Sequence, residues 1–149
     1  MSTTRTSYPA SEQRERIALG RLWWVGLLTL VTAVVVNFLI SLVAKGLFFV
    51  APTFFPLQAM IFVPFTVFGT LGAIIVFALL GRFARRPIST FQRTVWIVLL
   101  ISFIPDLLVG FLRPFPGTTF LDVGTLMLMH VATAMICLNS LLRFSRAHS

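Results

Sequence analysis

Acidic residues are scarce in this 149-residue chain, with four against twelve Lys and Arg. There is one cysteine, Cys137, and there are two histidines, His130 and His148. A single cysteine excludes an intrachain disulfide and a C-x-x-C redox centre. One Cys and two His do not complete a zinc set unless carboxylates or a second chain contribute. Charged residues make up only 11% of the chain, where a soluble domain is nearer a quarter. What replaces them is apolar: 58% of residues are hydrophobic, Phe alone occurs 16 times, and the mean hydropathy is +0.97. One domain is the natural count at this length. The net charge of +8 invites a nucleic-acid reading, but no basic stripe interleaved with aromatics is present. The basic residues lie instead almost wholly between apolar runs, as membrane topology requires.

Four such runs span residues 22–44, 57–80, 94–112 and 123–142. At a rise of 1.5 Å per residue each covers roughly 28–36 Å, enough for a hydrocarbon core of about 30 Å. They are continuous rather than alternating, which excludes a β-barrel. The expected fold is therefore all-α, a transmembrane four-helix bundle occupying residues 21–143. A polar tail, partly disordered, is expected over residues 1–20, with a short interfacial helix near Glu12–Leu19, and a second tail over residues 144–149. A cleaved signal peptide competes for the N-terminus, because basic residues precede an apolar run. The run at 22–44 is too long for that, and no clear small-x-small cleavage site follows it.

The connections set the orientation. Arg5, Arg14, Arg16, Arg21, Arg82, Arg85, Arg86, Arg93, Arg143 and Arg146 fall on one set of alternating segments, and only Lys45 and Arg113 on the other. This bias places both termini and the middle loop in the cytoplasm. Trp23, Trp24 and Trp96 fall at the cytoplasmic ends of their helices, where an aromatic belt sits. The Arg82, Arg85 and Arg86 cluster is a topology signal first and a contact for anionic lipid second. The apolar outer segment Gly46–Pro56 is expected at the outer interface, and Arg113–Asp122 as a turn-rich link.

Asp106 is the only acidic residue inside an apolar run, and it follows Pro105. A charge at that depth costs several kcal/mol unless it is neutralised, paired or wetted. Counting residues from the helix ends puts Asn37, Thr66, Asp106 and His130 at a similar depth, one on each helix, with Ser102 one turn from Asp106. These five residues form a candidate intramembrane polar layer facing the bundle interior. Small residues share their faces: Gly26, Ala33, Ser41 and Ala44; Gly69 and Ala73; Gly110; Thr133, Ala134 and Cys137. That pattern suits close helix approach. Asp106 reads either as a structural carboxyl held by His130 or Asn37, or as a proton- or cation-accepting group. Haem ligation is disfavoured, since His130 has no second intramembrane histidine. Cys137 reads as a small core residue.

Arg21-Leu-Trp-Trp, the run from Phe65 to Gly72 (FTVFGTLG), Ser102-Phe-Ile-Pro-Asp106 and Leu128-Met-His130 resemble the small four-helix bacterial membrane proteins catalogued as a domain of unknown function. The resemblance covers roughly residues 21–143. It implies four helices and a bacterial cell membrane, and implies no activity.

Three functions compete. The leading reading is a structural or interaction bundle that self-associates or joins a larger membrane complex, with no enzyme activity and no cofactor. The alternative is a proton-linked small transporter or channel using Asp106 and His130. An intramembrane enzyme comes last: Ser102, His130 and Asp106 could be drawn as a triad, but Ser102 and Asp106 share one helix face a turn apart. The topology is directly testable. A reporter active only outside the cytoplasm, fused after His148, is expected to be silent, and strong activity would overturn the assigned orientation.

Overall fold

The computed structural model describes residues 19–48 and 54–144. The tails and the short helix expected before residue 19 lie outside the described residues. Four helices make up the described fold: α1 (Leu19–Phe48), α2 (Ala59–Phe83), α3 (Pro87–Leu112) and α4 (Phe120–Phe144), with one 3₁₀ turn at Phe55–Leu57 before α2. Each is long and apolar enough to cross a bilayer. This is the all-α, four-helix membrane architecture that the four apolar runs imply.

Except at the start of α2 and the end of α3, the helices overrun the apolar runs, because a backbone hydrogen-bond ladder does not stop where hydropathy does. The largest extension is at the start of α3. Pro87 occupies the first helical turn, where its missing N–H costs nothing and its fixed φ suits the helix. The Thr90 hydroxyl then donates to the Arg86 carbonyl at 2.8 Å. At the other end Arg113 adopts a left-handed conformation (φ 46°) and donates its N–H to Val109 O. Pro114 follows and cannot continue the helix. The start of α4 is a capping box. Thr119 N donates to Asp122 Oδ2 at 2.8 Å, and Asp122 N donates back to Thr119 Oγ1 at 3.3 Å. Asp122 is buried in this cap. The link between α3 and α4 turns at Gly117, whose φ of 79° favours glycine.

In the bundle α1 packs most closely on α4 and α2, and α4 also on α3; the α2–α3 seam is the loosest between neighbours. The buried face of α1 is built largely from small residues, Thr29, Ala33, Ser41 and Ala44 among them, while Leu, Val, Phe and Trp face outward. That inversion of a soluble bundle suits a lipid surround, where close backbone approach supplies the packing. Two apolar clusters lie toward the two ends. One holds Leu22, Phe77, Phe91, Val95, Cys137, Leu138 and Leu141. The other holds Phe54, Leu57, Phe62, Leu126 and Met129. Thus the segment before α2 does more than lie at the interface: Phe54 and Leu57 are fully buried and plug that end of the bundle.

The glycines separate into two kinds. A Cβ at Gly110 would meet Val123 Cγ2 at 3.2 Å, and one at Gly26 would meet Ile74 Cδ1 at 3.2 Å, so both mark tight helix crossings. A Cβ at Gly69 or Gly72 would meet nothing within 4 Å. The expectation that Gly69 serves close packing is therefore corrected: α2 turns this stripe toward open space. Accordingly Gly110→Leu is expected to destabilise the protein by about 1–3 kcal/mol through overpacking. Gly69→Ala is expected to leave stability unchanged or raise it by up to about 1 kcal/mol through helix propensity. Unfolding in detergent micelles checks both.

Candidate functional site

Between the two apolar clusters lie the polar side chains, and their contacts link them in two groups. The first ties three helices. Asn37 on α1 donates from Nδ2 to Thr66 Oγ1 on α2 at 3.0 Å and to Thr133 Oγ1 on α4 at 2.9 Å. The Thr66 hydroxyl spends its own proton on the Phe62 carbonyl, 2.8 Å away. Toward Asn37 it can therefore only accept, which fixes the amide orientation. Asn37 Oδ1 is left buried with no hydrogen-bond partner among the described residues.

The second group joins α3 to α4. His130 Nδ1 lies 3.0 Å from Asp106 Oδ2. It also lies 2.9 Å from the Leu126 carbonyl one turn back on its own helix. A carbonyl only accepts, so Nδ1 carries the proton. One N–H cannot align with both oxygens: Leu126 O takes the directed bond and Asp106 Oδ2 receives an oblique contact. That oxygen is consequently buried with the imidazole beside it but without an aligned donor. The Asp106 side chain is 9% exposed and that of His130 40%, so the imidazole is the accessible member of the pair.

Ser102 joins neither group. Its hydroxyl donates to Leu99 O, 2.7 Å away on α3 itself. A serine committed to its own helix is poorly placed as a nucleophile for His130. Among the described residues no group of three or more His, Cys, Asp or Glu converges as a metal site.

Both groups border a cleft of about 770 Å³ between α2 and α3, floored by α4 and by Asn37. That size is typical of a small-molecule site. The α2 wall includes Phe65, Thr66, Gly69, Gly72 and Ala73; the α3 wall includes Val98, Ser102, Pro105 and Asp106. Phe65 and Val98 are exposed on the outer surface at 74% and 58%, so the cleft opens sideways, where lipid would lie. Aromatic contacts join its walls at each end. Phe77 and Phe91 meet edge to face with centroids 4.8 Å apart, and Phe55 stacks on Phe115 at 6.3 Å. The cleft is thus a lateral window. Pro105 lies in its wall within a continuous α3, and its missing N–H leaves the Ile101 carbonyl without its helical donor.

Sequence reasoning placed Asn37, Thr66, Asp106 and His130 at one depth but did not give Thr133 its role. Its spacing of three from His130 marked it as a same-face residue, and that was the available signal. The cap formed by Asp122 was also missed, although Thr119-x-x-Asp122 is a capping pattern.

The Asn37 crosslink and the Ser102 bond should differ in value. Asn37→Leu, which removes two interhelical hydrogen bonds, is expected to cost about 1–2 kcal/mol. Ser102→Ala and Asp106→Asn are expected to stay within about 0.5 kcal/mol of the parent. Thermal unfolding in detergent compares the three.

No curated protein and no solved structure matches the chain, whereas a family model, described as a family of unknown function, matches residues 17–147.

Proposed function

The chain belongs to that family of unknown function, DUF6069, and from its own geometry we propose that it binds a membrane-dissolved molecule in the lateral window and exchanges a proton at Asp106 and His130. The observation carrying this reading is the position of the Asp106–His130 pair, 3.0 Å apart, on the border of a large and mostly apolar cleft. A carboxyl retained only to lock helices gains nothing from an adjoining cavity, since an enclosed site strengthens its hydrogen bonds. Both members of the pair line the cleft and the imidazole is the more exposed, an arrangement suited to passing a proton between pair and occupant. The ring contacts at both ends favour entry from the bilayer over a water-filled pore, which sets the channel form of the proton-linked reading behind a binding form. The structural-bundle reading keeps the Asn37–Thr66–Thr133 crosslink, but it gives the window no use.

The same proposal includes the setting. The arginine bias supports both termini in the cytoplasm, the family resemblance implies a bacterial cell membrane, and the exposed Arg82, Arg85 and Arg86 suit anionic headgroups there.

Infrared difference spectroscopy across a pH series, with the protein in lipid nanodiscs, tests the proton step. A carboxyl band is expected that vanishes in Asp106→Asn and shifts in His130→Gln. Spectra of the parent and Asp106→Asn that titrate identically would overturn the proposal.

A further inference from the structure

The unpartnered atoms of the window identify what it would hold. The two are oxygens: Asn37 Oδ1, on a residue 2% exposed, and Asp106 Oδ2, on a residue 6% exposed. Neither is met by an aligned donor in the arrangement observed. Turning the Asn37 amide would set its oxygen against Thr66 Oγ1, whose proton is already given to Phe62 O. Bringing the His130 N–H into line with Asp106 would turn it away from the Leu126 carbonyl, which keeps its helical donor. With Asp106 ionised, the site is therefore short of donors. A buried acceptor left unmet costs about 1–3 kcal/mol, so a ligand that brings N–H or O–H groups gains on entry.

Charge narrows the class. A carboxylate in hydrocarbon favours a cation beside it. The surrounding wall is apolar and holds Phe62 and Phe65, whose ring faces attract cations. Its titratable members are Asp106, His130 and Cys137; neither α1 nor α2 contributes one. The lateral opening requires a body that partitions into lipid.

Resting on the proposed binding reading, we propose that the window is a site for a lipophilic protonated amine, its ammonium N–H groups directed at Asp106 and Asn37 and its alkyl or aromatic body along the α2–α3 seam. The step is an exchange with balanced charge. The site holds a proton while empty; the ammonium ion enters from the bilayer and that proton leaves. No bond is made or broken other than the one to the proton.

Equilibrium binding of radiolabelled dodecylamine to the full chain in zwitterionic nanodiscs tests this, with dodecanol and dodecyltrimethylammonium as competitors. Saturable amine binding is expected, with both competitors weaker by at least about tenfold, since one lacks the charge and the other the N–H groups. Asp106→Asn and Gly69→Phe are each expected to weaken amine binding by at least about tenfold. The first removes the anion. The second fills the window from a position where a Cβ meets nothing within 4 Å, and thermal unfolding verifies that the variant is folded. Absence of saturable binding overturns the inference. So does amine binding unchanged in both folded variants, or a competitor that matches the amine. A carboxyl that titrates in the infrared while no amine binds removes this ligand class and leaves the proton step standing. Amine binding without such titration supports the site and removes the proton exchange.

Discussion

A polar group surrounded by hydrocarbon has no water to turn to, and the interior of this bundle is arranged by that constraint. Asn37 meets it by dividing its two amide protons between Thr66 and Thr133, which draws α1, α2 and α4 together at one level. The third helix is outside this arrangement. Its polar tie to the others at this level is the oblique contact of Asp106 with His130. The difference between a three-way crosslink and a single strained-angle contact matches the packing: α2 and α3 are the neighbours that part, and the window lies between them.

The apolar clusters at either end complete the picture. With so many small side chains on the inner face of α1, the large apolar residues are spent on the lipid side and in two end plugs. The middle is left to polar groups and space. The same division explains why Gly26 and Gly110 sit at crossings while Gly69 and Gly72 do not: the former lie where helices are drawn in, the latter on the seam that is not drawn.

Much of this was legible in the sequence, for reasons that also mark its limits. Hydropathy over long runs reports the solvent around a helix, so the helix count followed directly. Residue counting along a helix reports depth, so Asn37, Thr66, Asp106 and His130 could be set at one level. Neither measure reports rotation about the helix axis relative to a neighbour. Ser102 and Asp106 share a face of α3, yet only Asp106 reaches another helix, because a serine is short enough to satisfy itself on Leu99 O. Gly69 and Gly110 were both read as packing residues, since a missing side chain looks the same whether it admits a neighbouring helix or leaves a void. Helix ends were misjudged at Pro87 and at Phe120 because proline entry and the Thr119–Asp122 cap are set by backbone hydrogen bonding, to which hydropathy is blind.

The phenylalanine contacts at the ends of the window carry a consequence for the membrane as an energy store. A bilayer that sustains a proton gradient acts as a dielectric, and an acid–base pair within it is a potential short circuit if water reaches it from both faces. Phe77 against Phe91 and Phe55 against Phe115 set at the two ends of the window groups that neither carry nor relay a proton. Under the proposed proton exchange, rings at these positions would act as insulators, letting Asp106 and His130 serve the lipid side without becoming a leak between the two aqueous phases.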